Sequence, residues 1–157
     1  MAYIRVLLLD NFLVIWMLRL GIDIGGTKLE AALIGTDGLV MARKRIPTEA
    51  NLGCEHIIKR VGKLAKEVLG ESSIYKVGVG LPGSLSPKTG LLRNSNTVCL
   101  NGQPLKDLIE NELNHSIVLE NDANCFALAE SIMGAGKNYN NVFGLILGTG
   151  CGGGGVL

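Results

Sequence analysis

The sequence predicts an α/β fold, and three observations predict it. Apolar residues alternate at period two through Leu20, Ile22 and Ile24, the pattern of a half-buried strand. They recur at helical spacing through Ile57, Val61, Leu64 and Val68. Segments of these two kinds then keep alternating toward the C-terminus, with no internal repeat and no low-complexity linker between them.

Residues 1–16 stand apart from this pattern. Val6–Leu9 and Phe12–Leu18 are apolar, but Arg5, Asp10, Asn11 and Arg19 interrupt them. A membrane-spanning helix wants about 20 mostly apolar residues, and no small-residue cleavage site follows as a signal peptide requires. Met17 is therefore expected to be the true start, with 1–16 an extension read from upstream. Arg19–Gly25, Leu29–Ile34 and Leu39–Ile46 read as an antiparallel meander, turning at Gly25-Gly26 and at Thr36-Asp37-Gly38. Arg43, Lys44 and Arg45 read as a solvated strand end rather than a phosphate site, and Pro47 closes the strand. The spacing predicts a helix over Leu52–Leu69, stopped by Gly70, with His56 on its surface or boundary. A buried strand, Lys76–Leu81, ends at Pro82-Gly83. Leu105–Leu113 reads as a helix, Ile117–Glu120 as a strand, Ala123–Met133 as a helix ended by Gly134 and Gly136, and Val142–Leu147 as a strand.

Composition excludes several classes. Lys and Arg number 15 against 14 Asp and Glu, for a net charge of +1, so bulk electrostatics would not hold a nucleic acid. Aromatics are 4 %, too few for base-stacking platforms, and 47 % hydrophobic residues exclude a disordered chain. Cys54, Cys99, Cys125 and Cys151 form no C-x-x-C pair, which argues against a zinc site and for free thiols in a reducing cytoplasm. Glycine is the one excess: 22 of 157 residues, about twice ordinary usage.

Glycine is needed where backbone must approach a phosphate closely, and three loops qualify. Gly21–Lys28 (GIDIGGTK) approximates a Walker A loop, but Thr27 and Lys28 stand in the wrong order and strand pattern follows, so it reads as a hairpin turn. Gly78–Gly83 (GVGLPG) matches G-x-G-x-x-G, yet Ser84-Leu85-Ser86-Pro87 cannot open the required helix. Gly148–Gly153 (GTGCGG) matches it too and continues into more glycine. Asp23 places a carboxylate beside the first turn, suited to Mg²⁺, often through water. Thr27 and Thr149 offer hydroxyls to phosphate oxygens. Glu120-Asn121-Asp122-Ala123-Asn124 lies where a strand gives way to a helix, the ligand-facing position of α/β folds. Simple helix capping by Asn121 or Asp122, worth about 1 kcal/mol, is the competing explanation.

Together these segments resemble the ROK family of sugar kinases and repressors, within the actin-like ATPase superfamily. The resemblance runs from about Leu18 to Leu157. DIGGTK resembles the family's first phosphate loop and GTGCGGG its second; VLENDANCFALAE resembles the segment of the catalytic base; GLPGSLSPKTG and RNSNTVCLNGQPL resemble its sugar loops. The wording is most similar to the bacterial fructokinase/mannokinase branch, with N-acetylglucosamine kinases, glucokinases and non-catalytic regulators of the family as alternatives.

The resemblance implies an actin-like (ribonuclease H-like) domain with a mixed sheet and flanking helices over 17–135. Residues 136–157 would form the first strands of a second domain, so that the chain is expected to be the N-terminal part of an enzyme and inactive alone. It implies ATP-dependent transfer to a hexose 6-hydroxyl, with Asp122 as general base. Gly83, Ser84, Asn96 and Asn121 would contact the sugar along with Asp122. Gly25, Gly26, Thr27, Lys28, Thr149 and Gly150 would cradle the ATP phosphates, with Asp23 near Mg²⁺. Neither nucleic acid nor membrane is an expected partner, and homodimerisation is expected only where a C-terminal domain is present. The family's zinc motif has no counterpart here, and Cys99 stands where relatives often carry Trp.

Overall fold

The computed structural model describes residues 17–72, 75–147 and 151–157. The expectation for residues 1–16 lies outside them. Strands β1 (Leu18–Ile24), β2 (Lys28–Ile34) and β3 (Val40–Pro47) form the antiparallel meander that period-two alternation predicts. Two further strands, β4 (Tyr75–Leu81) and β7 (Ile117–Asn121), extend it to a mixed five-stranded sheet of order β3-β2-β1-β4-β7. β1, β4 and β7 run parallel, so their C-terminal ends share one sheet edge.

Helix α1 spans Cys54–Leu69 and buries Ile57, Ile58, Val61, Leu64, Ala65 and Val68 on one face. Each such Leu, Ile or Val contributes roughly 1.5–3 kcal/mol when fully buried. The helix starts two residues later than its apolar spacing predicts. Gly53, at φ 89°, separates it from a short 3₁₀ turn, Ala50–Leu52, and Leu52 is 57 % exposed rather than core. Gly70 ends it as expected, donating its N–H to Lys66 O. Helix α2 (Leu105–Leu113) packs beside α1 through Leu105 and Ile109. Between β4 and α2 the chain makes a small ladder, β5 (Ser84–Leu85) with β6 (Leu92–Arg93), and a second 3₁₀ turn, Val98–Leu100. The cationic run on β3 is paired: Arg43 and Arg45 with Glu30 of β2, Lys44 with Glu67 of α1.

Helix α3 (Asp122–Met133) follows β7 directly and packs against a separate antiparallel pair, β8 (Val142–Leu147) with β9 (Cys151–Val156). The glycine run Gly152–Gly155 is therefore mostly strand, not loop. Gly144 and Gly154 face each other across the pair, and both are buried. A Cβ on Gly154 would lie 2.3 Å from the Ala123 carbonyl, so only glycine lets α3 lie this close. On the other face Phe143, Leu145 and Leu147 are exposed.

Candidate functional site

Register carries the site. Asp23, Gly80 and Glu120 lie side by side across β1, β4 and β7. The residues just beyond, Pro82-Gly83 after β4 and Asn121-Asp122 after β7, thus project from the same edge, where ligands of α/β sheets sit. They line a cleft of about 480 Å³ with Asn96, Ile146, Cys151, Gly152 and Gly153. A larger open cavity, about 580 Å³, lies between α1 and α2 among Lys59, Lys63, Lys66 and Glu112, and none of the sequence-predicted residues lines it.

Asn121 answers the capping question raised by the sequence. Its Oδ1 accepts from the N–H groups of Ala123 (3.0 Å) and Asn124 (3.2 Å), so it is the N-cap of α3. Its Nδ2 donates to Gly83 O at 3.0 Å, tying the β7–α3 junction to the β4 loop. Asp122 is thereby released from capping duty. It is the first residue of α3, half-buried, with Oδ1 accepting only from the adjacent Ala123 N–H at 2.9 Å.

Gly83 has φ 102°, and a Cβ there would stand 2.6 Å from Arg93 O. Only glycine turns the chain into the cleft at this point. Asn96 is exposed at the tip of a loop that Asn101 clamps twice, accepting from Ser95 N–H and donating to Ser95 O, each at 2.9 Å. Ser84 sits in β5 opposite Arg93, outside the cleft lining.

The first glycine turn borders this loop. Gly25 N–H donates to Lys28 O at 3.0 Å, closing the β1–β2 hairpin, and a Cβ on Gly26 would lie 3.6 Å from Asn96 Oδ1. Thr27 and Lys28 are exposed. The turn is held from behind by a residue that sequence reasoning missed. Thr48 is fully buried; its hydroxyl donates to Gly25 O at 2.7 Å and its N–H to Thr27 O at 2.9 Å. Only its place after Pro47 hinted at anything, because its partner lies in a distant turn. Thr149 and Gly150 lie outside the described residues.

Electrostatics single out Asp23. Burial, then the Asp122 carboxylate and then Glu30 hold its carboxyl above the ordinary 3.8, with Arg45 opposing. A carboxyl raised by burial and by a neighbouring carboxylate suits a hard cation, which would relieve Asp23. Among the described residues no group of three or more His, Cys, Asp and Glu could enclose a metal. That donor set fits Mg²⁺, which keeps several waters and takes its remaining ligands from phosphates, better than a fully liganded ion. Glu30 behaves oppositely. Burial alone would raise it, but its pairs with Arg43 and Arg45 outweigh that and hold it low.

The model of the ROK family matches residues 19–157. A glucokinase from Thermotoga maritima is 37 % identical over 137 residues, covering 86 % of this chain and 43 % of the relative. An N-acetyl-D-glucosamine kinase from Aliivibrio fischeri is 39 % identical over 137 residues, covering 85 % and 44 %. Among solved structures, a ROK family glucokinase from Streptomyces griseus in complex with glucose and AMPPNP superposes with a TM-score of 0.76. It is 30 % identical and covers 89 % of this chain and 44 % of that one. The chain thus spans less than half the length of the relatives it matches.

Proposed function

The chain belongs to the ROK family, and from that membership we propose that it forms the sugar-binding and first phosphate-binding part of an ATP-dependent hexose kinase. The observation that carries this reading is the gathering of Asp122, Asn121, Gly83 and Asn96 in one cleft, with Asp23 close enough to Asp122 to repel it. These residues come from separate parts of the sequence, and no packing demand of the core requires polar groups to gather there.

Asn96, Asn121 and the Gly83 backbone orient the hexose, with Ser84 behind them. Asp122 accepts the proton of the 6-hydroxyl as its oxygen bonds to the γ-phosphorus, and ADP leaves with the electrons of the broken P–O bond. A loose phosphoryl-transfer transition state asks little basicity until late, so position matters more than proton affinity at Asp122. Gly25, Gly26, Thr27 and Lys28 of the first hairpin take the phosphates, together with Thr149 and Gly150 as the family resemblance implies. Asp23 would hold Mg²⁺, directly or through water, and the ion would supply neutralisation of phosphate charge. Residues 136–157 start a second unit, a reading supported by the separate pairing of β8 and β9. Dimerisation would belong to that unit.

For the sugar, the kinases named above act on glucose and on N-acetylglucosamine, and the wording of the sugar loops favours fructose or mannose. The test is coupled ADP release with glucose, N-acetylglucosamine, fructose and mannose, in a chain spanning the relatives' full length, with the product analysed for its phosphate position. Turnover with one of these hexoses to a 6-phosphate is expected. Turnover with none of them, while the protein remains folded, would contradict the proposal.

A further inference from the structure

The fold carries two cysteines from distant parts of the chain to one corner of the molecule, away from the catalytic cleft. Cys54 is the first residue of α1. Cys99 is the middle residue of the second 3₁₀ turn, Val98–Leu100. The Cys99 thiol donates to the carbonyl oxygen of Ala50 at 3.5 Å. Ala50 opens the 3₁₀ turn that leads into α1, and the same carbonyl accepts from Gly53 N–H at 3.2 Å. The Cys99 sulfur therefore lies against the first residue of the turn that leads, through Gly53, into Cys54. Both side chains are half-buried and pack on the rim of the same hydrophobic core.

Burial first, and then Cys99, push the Cys54 thiol up from its ordinary value. The other two cysteines differ: Cys125 is buried in α3, its thiol pushed up to about 12 by burial and nearby carboxylates, and Cys151 is exposed in the cleft.

We propose that Cys54 and Cys99 are a redox modification site, closing to a reversible disulfide that fastens the Asn96-bearing loop to the start of α1. The oxidant is a low-molecular-weight disulfide of the glutathione class. Cys99 loses its proton and attacks one sulfur of the oxidant, releasing one small thiol and leaving a mixed disulfide. Cys54 then loses its proton and displaces the second small thiol. One S–S bond of the oxidant is exchanged for one S–S bond in the protein. Two electrons pass to the oxidant, and the two protons appear on the released thiols.

At one end of the bond, Glu49 (φ 55°) and Gly53 (φ 89°) bracket the 3₁₀ turn that precedes Cys54. The other end is stiff: the double clamp of Asn101 on Ser95 makes the loop around Asn96 move as a unit. The disulfide would therefore transmit its constraint to Asn96 rather than dissipate it locally.

The experiment uses the chain with Cys151→Ser, which removes the exposed competing thiol. The folded protein is incubated with oxidised glutathione, blocked, digested without reduction and analysed by mass spectrometry. A peptide pair joined through Cys54 and Cys99 is expected, with intact mass lower by two hydrogen atoms. It should disappear on adding dithiothreitol and be absent when either Cys54→Ser or Cys99→Ser is introduced. Oxidation should also raise the melting temperature of the parent and leave that of both serine variants unchanged. Separate glutathione adducts on Cys54 and Cys99, or two thiols that stay free while the protein is folded, would overturn the proposal. The chain needs no sugar or nucleotide for this test, so the outcome is independent of the kinase reading.

Discussion

Two glycine-rich strand pairs, β1 with β2 and β8 with β9, are supported in opposite ways. The β1–β2 hairpin is built into the five-stranded sheet, with β4 on one side, β3 on the other and the buried Thr48 hydroxyl on Gly25 O behind its turn. The β8–β9 hairpin pairs with no other strand among the described residues and rests on α3 through Gly144 and Gly154. One glycine turn owes its position to hydrogen bonds from neighbouring backbone and side chains. The strands β8 and β9 instead lie against α3 where Gly144 and Gly154 carry no side chain. Similar composition thus hides two mechanisms, and substitutions separate them.

The largest effect is expected at Gly154. Gly154→Val would drive a side chain into the Ala123 backbone, and the hairpin must leave α3 or the helix must shift. A loss of about 3 kcal/mol, at the upper end for overpacking, is expected in urea denaturation. An unchanged midpoint would mean that α3 does not depend on that contact. Thr48→Val tests the first hairpin. The isostere keeps the volume but leaves Gly25 O unpaired in a buried place, and should lower stability by about 1–3 kcal/mol, with Thr48→Ser recovering most of it. Equal losses in both variants would assign Thr48 to packing rather than to the hydrogen bond.

Asp23→Asn should go the other way. A carboxyl held above 3.8 in the folded state costs stability once ionised, so the folded protein loses stability as pH rises through that raised value. Removing the charge should raise stability at neutral pH in metal-free buffer, on the order of 1 kcal/mol, and flatten the corresponding fall in a pH series. The same variant should weaken Mg²⁺-dependent nucleotide binding. Destabilisation at neutral pH would mean that Asp23 has a stabilising partner. The smallest effect is expected on the open face of β8–β9, where Phe143→Ser or Leu147→Ser should change the stability of this chain by no more than about 0.5 kcal/mol.

Much of this architecture is legible in the sequence because it rests on local periodicity. Alternation at Leu20, Ile22 and Ile24 and helical spacing from Ile57 to Val68 report which face is buried, and burial is what forms those elements. The start of α1 is misread because Leu52 keeps helical spacing while Gly53, at φ 89°, interrupts the helix just after it. The glycines after Gly150 are misread for a related reason. Sequence cannot distinguish a glycine that frees a turn from one that lets a helix approach a strand. Residue types and position marked Asp23, Asn121 and Asp122 as candidates. Their convergence depends on the parallel pairing of β1, β4 and β7, which is long-range and leaves no local trace; the family resemblance supplied it. Thr48 and Asn101 escaped notice because each acts on backbone across a turn, and neither carries a pattern.

The most direct test is Asp122→Asn, read for turnover and nucleotide affinity together in a chain spanning the relatives' full length. The geometry of a carboxylate freed from capping and facing the cleft predicts a loss of ~10²–10⁴-fold in turnover, with nucleotide affinity and melting temperature nearly unchanged. Turnover within a few-fold of the parent would contradict that role and reduce Asp122 to the first residue of a helix.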